Sequence, residues 1–396
     1  MQLDTEPQVS VVVPTFREAE NLPVLVRRIG QAMSQAELSY EIIVVDDASP
    51  DPTSAVCGEL SRQFPLRLIV RQNERGLSSA VIRGAELATG KWLVVMDADL
   101  SHPPERIPDM VAQLASGATE FVLGSRYTKG GSTATDWGLF RRWNSRIATW
   151  LARPLTRLTD PMAGFFAMPR SLFAEARQRL NPVGYKIALE LLVKAAPQKP
   201  TEIPIHFEDR QFGTSKMDWR QQALYLRHLA RLYAYRYDSV LTPLRFLAVG
   251  GSGAVVDLSA FAGLLAVGVP VAAARGLAVL LAMTANYIGN ERFTFRPARG
   301  LSWARYGQFC AACAVGAAVN WLVSLVILRW SGRGAGWPMA AAAAGIVAGA
   351  WFNYQICRGW IFSRPTAPVR SVPAHHLPSG QVATANQRPT HDQAAA

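Results

Sequence analysis

The spacing of hydrophobic residues divides the chain into two regions with different patterns. In the first region, short apolar runs alternate with segments of helical spacing; the runs cover residues 9–13, 40–45, 66–70 and 92–96. Short apolar runs bounded by turn residues are typical of buried strands. Apolar residues three and four positions apart, as in residues 20–36 and 76–88, are typical of helices. The alternation predicts an α/β fold with a doubly wound, mostly parallel sheet.

The second region consists of long apolar segments. Four of them cover residues 246–269, 274–290, 306–328 and 337–357. Each is near the ~20 residues that an α-helix needs to cross a bilayer. Small residues recur within these segments, as close helix packing in lipid favours. The pattern predicts an all-α transmembrane domain of four helices after the α/β domain.

The transmembrane region repeats internally with a displacement of 67 positions. The repeated pairs are Asn286-Tyr287 with Asn353-Tyr354, and Phe293-x-Phe295 with Trp360-x-Phe362. Such a repeat predicts two helical hairpins in the same orientation. Asp257 falls in the middle of the first span, where a carboxylate is costly unless it is paired or hydrated. It is interpreted either as a functional polar site or as an interhelical hydrogen bond.

Composition and charge indicate a membrane surface as the partner and predict how the chain is oriented in the membrane. The chain has 396 residues, a net charge of +12 and 49% hydrophobic residues. Its basic residues crowd around the apolar segments, which favours an anionic membrane surface over nucleic acid as the partner. Seven arginines fall on one side of the four-span arrangement: Arg245, Arg292, Arg296, Arg299, Arg305, Arg358 and Arg364. Three fall on the other: Arg275, Arg329 and Arg333. The positive-inside rule then predicts a multi-pass protein of the cell (inner) membrane with the α/β domain and both termini in the cytoplasm.

Residues 218–238 connect the two regions and have a pattern of their own. Leucines alternate there with arginines at helical spacing, among them Leu229 and Arg231. The pattern predicts a basic amphipathic helix in the membrane interface, and a helix packed on the α/β domain is the alternative. Residues after Ser363 are rich in Pro, Ala, Gln and Thr, which is typical of disorder. The predicted organisation is an α/β domain at 1–216, amphipathic helices at 217–244, a transmembrane domain at 245–363 and a tail at 364–396.

Two carboxylates, Asp97 and Asp99, directly follow the apolar run 92–96. Ligands of open α/β sheets bind beyond the carboxyl ends of the strands. Two carboxylates on one turn can hold a hard divalent cation, and such a cation commonly also binds phosphate. Turn and cap residues are the alternative interpretation. Because no glycine-rich phosphate loop accompanies them, we expect a metal and arginines to neutralise any phosphates.

Eight motifs in order strengthen the metal interpretation. They are VVVPTFREAENLP, EIIVVDDASPD, RGLSSAVIRGAELATGKWLVVMDADLSHPPE, VLGSRYTKGG, DWGLFRR, DPMAGFFAMPR, GYKIALELLVKA and HFEDRQFGTSK. With them, residues 9–216 resemble the GT-A-fold, inverting family 2 glycosyltransferases, and among these the polyprenyl-phosphate (dolichol-phosphate) mannose synthases. The second region resembles the GtrA-like membrane domain. Two positions depart from the family pattern: Ser101 stands where many relatives have a metal-ligating Gln, and Ala163 replaces the usual Ser.

The resemblance implies a donor site, a metal site and a set of catalytic residues. The donor, GDP-mannose, would be bound by Pro14, Phe16, Glu18, Val45, Asp47, Asp97, Ala98, Asp99, Arg126, Arg210 and Lys216. Mg²⁺ or Mn²⁺ would be held by Asp97, Asp99 and Ser101. The catalytic residues would be Asp99, Arg126, Arg141 and Arg210, with a mobile loop around Gly213 closing over the donor.

The acceptor would be a polyprenyl (dolichyl) phosphate. Its phosphate oxygen is already anionic at neutral pH, so the reaction needs arginines for alignment rather than a general base. Inversion would give a β-linked polyprenyl-phosphate mannose for lipid-linked glycosylation. The alternatives are a polyprenyl-phosphate glucosyltransferase using UDP-glucose, and a lipid-linked-sugar translocase whose first domain only binds. A processive polysaccharide synthase is disfavoured because the chain lacks a QxxRW motif. A homo-oligomer is left open.

Overall fold

The computed structural model describes residues 6–133, 139–208, 219–295, 300–330 and 337–362. The chain forms two compact units, Met1–Asp238 and Ser239–Ala396. The predicted loop around Gly213 and the predicted tail at 364–396 lie outside the described residues.

A seven-stranded sheet with helices on both faces forms the first unit. The strands in the described part of the unit are β1 (Val9–Thr15), β2 (Tyr40–Asp46), β3 (Leu66–Val70), β4 (Trp92–Val95), β5 (Val122–Ser125), β6 (Ser132–Thr133), β7 (Phe166–Pro169), β8 (Thr201–Pro204) and β9 (His206–Phe207). The sheet order is β3-β2-β1-β4-β7-β5-β8, while β6 and β9 form a separate parallel pair. Strand β7 is antiparallel to both of its neighbours, and the other pairs are parallel. The predicted doubly wound, mostly parallel sheet is therefore confirmed.

Helices fill the connections between these strands. They are α1 (Leu22–Gln35), α2 (Thr53–Leu60), α3 (Leu77–Leu87), α4 (Ile107–Ala115), α5 (Leu139–Ala152), α6 (Arg170–Ala176), α7 (Ile187–Lys194) and α8 (Trp219–Arg236). The helices predicted at 20–36 and 76–88 are present as α1 and α3. The proline pair after the DAD motif begins a short 3₁₀ turn, Pro104–Arg106, that runs into α4. A proline near a helix start loses no hydrogen bond, since the first amides of a helix have no partner within it.

Strand β1 is buried on both faces of the sheet. Val9, Val11 and Val13 pack in the cluster that contains α1 and α4, whereas Val12 packs on the opposite face with α3. Because both faces are covered, polar residues are not needed at alternate positions, and the strand is almost continuously apolar in the sequence.

Helix α8 packs on the first unit through one of its faces. Tyr225, Leu229 and Leu232 are buried in a cluster that also contains residues of α5 and α7. The Tyr225 hydroxyl donates to the Ala148 carbonyl at 2.7 Å. Leu226, on another face, is 55% exposed. The packing of α8 on the first unit agrees with the alternative interpretation. The predicted role in the membrane interface concerns the exposed residues of α8 and remains a prediction.

Long helices make up the second unit. They are α9 (Asp238–Ala266), α10 (Val271–Gly289), α11 (Trp303–Trp330) and α12 (Trp337–Ile356), with π-helical turns at Asn290–Phe295 and Cys357–Ile361. Within the described residues, three segments are long and apolar enough to cross a membrane: Asp238–Ala266, Val271–Phe295 and Trp303–Trp330. Helix α12 has 20 residues but is more polar near its end, and its role as a fourth span stays a prediction.

The internal repeat has a counterpart in the packing of the second unit. The side-chain amide of Asn286 lies directly against Gly253, and that of Asn353 lies against Gly316. A π-helical turn follows shortly after each asparagine. In both cases a glycine on the preceding helix provides the space for the asparagine, as small residues do at close helix contacts.

Asp257 of α9 forms an ion pair with Arg275 of α10, with Oδ2 and Nη1 2.7 Å apart. Its Oδ1 is buried and has no hydrogen-bond partner among the described residues. The Asp257 carboxylate therefore links α9 to α10, as the interhelical interpretation predicts, and its partner is the charged Arg275. Such pairing lowers the cost of an acid in a span.

Candidate active site

A cleft of about 1790 Å³ opens in the first unit at the carboxyl ends of β1, β2 and β4. It is the place where open α/β sheets bind their ligands. Eight residues predicted from the sequence line it: Pro14, Phe16, Glu18, Asp47, Asp97, Ala98, Asp99 and Arg126. The fold therefore brings together strand ends that are far apart in the sequence.

Each of these three strand ends turns through a residue with left-handed backbone. Arg17 follows β1 with a φ of 62°, Ala48 follows β2 with 51°, and Leu100 follows β4 with 62°. Residues other than glycine adopt this conformation at a cost of about 1–3 kcal/mol, and such residues are enriched at functional sites. The sharp turns direct the polar residues around them toward the cleft.

Of the three predicted metal ligands, Asp97 and Asp99 line the cleft and Ser101 does not. The Asp97 side chain is 31% exposed, whereas Asp99 is 5% exposed and accepts a hydrogen bond from the Ser101 amide at 3.1 Å. The Ser101 hydroxyl is buried and has no hydrogen-bond partner within the described part of the chain. Two carboxylates with an unpaired hydroxyl nearby are hard oxygen donors, so the residues fit Mg²⁺ or Mn²⁺.

His102 supports this turn by packing. Its ring is 2% exposed, stacks on Phe165 at 5.5 Å between centroids and contacts the edge of Phe207. The Asp97 amide donates to His102 Nδ1 at 3.4 Å. Burial lowers the pKa of His102 below its ordinary value, although Asp97 and Asp99 oppose the shift. In neutral His102, Nδ1 can accept the hydrogen bond from the Asp97 amide.

Asp47 is held by an arginine that the sequence interpretation did not identify. Arg71 donates from Nε to Asp47 Oδ1 at 2.8 Å and also contacts it through Nη2. The Gly76 amide donates to Asp47 Oδ2 at 2.8 Å. Both side chains of the pair are at least nine-tenths buried. A carboxylate oxygen has two lone pairs, so Oδ2 keeps room for one further donor from a ligand.

An aromatic and cationic wall lies beside this carboxylate. Arg17 and Arg75 place their guanidinium carbons 5.3 and 5.6 Å from the Phe16 ring centre. Glu18 accepts a hydrogen bond from the Asn21 side-chain amide. A planar ring with cations and a carboxylate nearby can stack on a nucleobase and accept hydrogen bonds from it.

Arg126 enters the cleft paired with Asp160. Its Nε and Nη2 donate to the two carboxylate oxygens at 2.7 and 2.8 Å, and its own amide donates to Oδ2 at 3.1 Å. Burial alone would lower the pKa of Arg126, but Asp160 outweighs this and raises it. The guanidinium also lies over Tyr127 and Phe207, at 5.3 and 5.1 Å from their ring centres. A paired arginine of this kind has a fixed orientation.

Lys186 is the second cation on this side of the cleft, and the sequence interpretation assigned it no role. It is half-buried, lines the cleft and donates from Nζ to the Met162 carbonyl at 2.8 Å. Burial, reinforced by the Arg126 guanidinium, lowers the pKa of Lys186 to about 8. The motif GYKIALELLVKA contained this lysine, but the sequence alone does not show that it faces the DAD motif.

Some predicted site residues do not line the cleft or cannot be placed in it. The Val45 side chain is fully buried in the core, so it could meet a ligand only through its backbone. Arg141 lies within α5, but its side chain is outside the described residues. Arg210 and Lys216 are also outside them.

Two families match this chain, one for each unit. Residues 10–175 match the family described as Glycosyl transferase family 2. Residues 245–362 match GtrA/DPMS, transmembrane domain. The predicted pairing of a family 2 domain with a GtrA-like domain is thus confirmed.

Related sequences extend the similarity across most of the chain. A dolichol-phosphate mannosyltransferase of Pyrococcus furiosus is 39% identical over 326 residues, covering 81% of this chain and 91% of the relative. Enzymes with the same name from Mycosarcoma maydis and Saccharomyces cerevisiae are 45% and 41% identical. These matches cover 61% and 58% of this chain, and 84% and 88% of the relatives.

Solved structures are similar at a lower level. Mannosyl-3-phosphoglycerate synthase from Rubrobacter xylanophilus has a TM-score of 0.46 and 22% identity, covering 57% of this chain and 74% of that chain. Glucosyl-3-phosphoglycerate synthase from Mycobacterium tuberculosis has a TM-score of 0.45 and 18% identity, covering 58% and 79%. From its matching families and relatives, the chain is a membrane glycosyltransferase that belongs to the dolichol-phosphate mannosyltransferases of family 2.

Proposed function

We propose that the protein transfers mannose from GDP-mannose to a polyprenyl (dolichyl) phosphate with inversion, giving polyprenyl-phosphate mannose. The observation that carries the proposal is one cleft that gathers Asp97, Asp99 and Arg126, in a chain 39% identical to a dolichol-phosphate mannosyltransferase over 91% of that relative. The donor, its nucleotide and the stereochemistry belong to the proposal.

The nucleotide occupies the wall formed by Phe16, Glu18 and Asp47. Phe16 stacks on the base, while Glu18 and Asp47 accept hydrogen bonds from base or ribose. Support comes from the 2.8 Å hydrogen bond that holds Asp47 to Arg71, because it orients the carboxylate before the donor binds. Pro14, Val45 and Ala98 contribute backbone and apolar surface.

Asp97, Asp99 and Ser101 hold Mg²⁺ or Mn²⁺. A divalent cation there offsets the charge of the donor diphosphate and of the leaving nucleoside diphosphate. The Ser101 hydroxyl is 1% exposed and has no hydrogen-bond partner among the described residues, which supports its place in the set. Serine would be a weaker ligand than the glutamine common in relatives.

The protein's cations bring two anionic substrates together. An oxygen of the acceptor phosphate attacks the anomeric carbon of mannose, and the bond from that carbon to the donor phosphate breaks. The electron pair of the broken bond leaves with GDP. No proton is transferred, because the attacking oxygen is already anionic. Arg126, held by Asp160, aligns the phosphates, and Arg141, Arg210 and Lys216 are proposed to complete the clamp.

The membrane arrangement is part of the same proposal. The α/β domain (1–216) and both termini lie in the cytoplasm, the amphipathic segment (217–244) meets the membrane surface, and residues 245–363 cross the membrane. The three described segments apolar enough to cross a bilayer support this arrangement. It brings the cleft to the side of the membrane where nucleotide sugars are made.

Transfer of radiolabelled sugar into an organic-extractable product tests the function. Membranes carrying the protein receive polyprenyl phosphate with GDP-mannose or with UDP-glucose, each with and without EDTA. We expect EDTA-sensitive label from GDP-mannose only, and a β-anomeric signal in the NMR spectrum of the product. Asp99→Ala should abolish the label, whereas Asp109→Ala, a change at an exposed residue of α4, should preserve it.

The other outcomes identify the alternatives. Label from UDP-glucose alone would make the protein a polyprenyl-phosphate glucosyltransferase. No label from either donor, with an Asp97→Ala protein that still moves lipid-linked sugar across the membrane, would indicate a translocase whose first domain only binds.

A further inference from the structure

Lys186 occupies the side of the cleft that lies away from the nucleotide wall. The loops after β2, β1 and β4 form that wall and the metal site. Strand β7 is the next strand beyond β4 and runs antiparallel to it, with Phe166 opposite Val95. The start of β7 is therefore level with the carboxyl end of β4, and the segment before it contains Met162, the hydrogen-bond partner of Lys186.

Lys186 lies near the ion-paired Arg126 and near the Asp97 and Asp160 carboxylates, which favour its charged form. Arg126 is matched by Asp160, with both side chains at least nine-tenths buried. Lys186 forms no ion pair with the described residues, and its Nζ makes one hydrogen bond, to Met162. Nζ also lies over the Tyr185 ring, 4.5 Å from its centre, and an ammonium has three donors, so a donor remains for a ligand. A half-buried cation without a close ion pair among the described residues is stabilised by an incoming anion.

The segment that carries Lys186 is held in place by a buried cluster. Glu190 Oε1 accepts from the Asn181 amide at 2.6 Å and from Lys194 Nζ at 2.6 Å. His228 Nδ1 accepts from the Val183 amide at 3.3 Å. Both Glu190 and His228 are about 1% exposed or less. The backbone around Lys186 is therefore held in place, and the hydrogen bond to Met162 positions the ammonium.

We propose that Lys186 binds the phosphate of the acceptor lipid and is a further catalytic residue of the transfer. The inference rests on the proposed function. The lipid monophosphate must approach the sugar from the side opposite the leaving diphosphate, and Lys186 lies on the opposite side of Asp97 from the nucleotide wall. The proposed metal site offsets the charge of the donor diphosphate. Lys186 supplies a positive charge for the acceptor phosphate.

Kinetics of Lys186→Met and Lys186→Arg in the full-length protein test the proposal. We expect Lys186→Met to raise the KM for polyprenyl phosphate by about tenfold or more, since a charge-assisted hydrogen bond is lost. Equilibrium binding of radiolabelled GDP with Mn²⁺ should stay within about twofold of the parent. Lys186→Arg should recover most of the acceptor affinity because it keeps the charge. Lys91→Met, at the opposite end of β4 from Asp97, should match the parent.

Several results would overturn the proposal. Weaker GDP binding with an unchanged acceptor KM would place Lys186 on the donor diphosphate. An unchanged KM and unchanged GDP binding would remove any anion contact. Equal losses in Lys186→Met and Lys186→Arg, with a lower melting temperature in both, would make the lysine a support for the Met162 segment only.

A second readout separates this inference from the proposed function. If the parent protein transfers no sugar at all, the stabilisation of the parent and of Lys186→Met by farnesyl phosphate is compared by thermal unfolding. Stabilisation of the parent that Lys186→Met loses and Lys186→Arg keeps would support the phosphate contact without the transfer reaction. Equal stabilisation of all three proteins would reject it.

Discussion

Arg126 and Asp160 form a two-point ion pair at the floor of the cleft. Nε meets Oδ2 at 2.7 Å and Nη2 meets Oδ1 at 2.8 Å, while Asp160 is fully buried. The aspartate also accepts the Arg126 amide, so backbone and side chain are fixed by the same carboxylate. The position of Arg126 thus depends on a residue 34 positions further along the chain.

Replacing Asp160 with alanine should destabilise the protein strongly. The change leaves the Arg126 guanidinium buried without its partner, which typically costs about 3–5 kcal/mol. We expect a clear fall in melting temperature of the full-length protein in detergent, together with loss of transfer activity. Asp109→Ala breaks the exposed pair with Arg106 and should cost at most ~1 kcal/mol. Equal melting temperatures for the two variants would contradict this account.

Gly164→Ala should impair the metal site without unfolding the protein. A Cβ at Gly164 would lie 2.9 Å from Asp97 Oδ2, closer than real contacts allow, so the carboxylate must move. We expect about tenfold more Mn²⁺ to be needed for half-maximal activity, if one ligand is displaced. The measurement is a metal titration of transfer rate. Gly58→Ala, where nothing lies within 4 Å, is the control, and the same metal requirement in both variants would show that Asp97 tolerates the methyl group.

The glycines beneath the repeated asparagines should not tolerate a side chain. A Cβ at Gly253 would overlap the Asn286 amide, and one at Gly316 would overlap that of Asn353. Gly253→Ala and Gly316→Ala should each lower the melting temperature, because overpacking lowers the free energy of unfolding by about 1–3 kcal/mol. Gly263→Ala, with nothing within 4 Å, should be neutral or stabilising, since alanine favours a helix. If all three variants melted at or above the temperature of the parent, as the helix propensity of alanine alone predicts, the close contacts would be rejected.

Glu41 should make the stability of the protein depend on acid. Burial alone would raise its pKa, but hydrogen bonds from Ser10 and Thr89 and the charge of Arg67 outweigh it and lower the pKa below the ordinary value. A carboxyl group with a lower pKa in the folded state stabilises the fold above its unfolded pKa. That stabilisation is lost as pH falls through the folded pKa.

The comparison is the melting temperature of parent and Glu41→Gln between neutral pH and pH 4. The parent should lose more of its stability than Glu41→Gln over this range, because the variant has no proton to bind at position 41. Glu59→Gln, an exposed change on α2, should follow the parent. Parallel curves for parent and Glu41→Gln would mean that Glu41 does not contribute to the acid sensitivity.

The parallel half of the sheet and the DAD turn were predictable from the sequence. Strands β1, β2 and β4 are covered on both faces, so each is a nearly unbroken apolar run, and the residue after such a run must lie at the edge of the sheet. Asp97 and Asp99 could therefore be placed from local pattern alone. The long apolar helices were predictable for the same reason, since a span has a minimum length.

Tertiary structure alone decided which charges are paired. Arg71 holds Asp47 and Asp160 holds Arg126, whereas Lys186 donates to the Met162 carbonyl. Each pair joins segments far apart in the chain, and hydrophobic pattern reports burial but not distance between such segments. The position of β7, antiparallel beside β4, could not be predicted from the sequence either, because strand order depends on long-range contacts. Thus the sequence determined the two kinds of domain and the position of the carboxylates, while only the folded chain determined which cations face them.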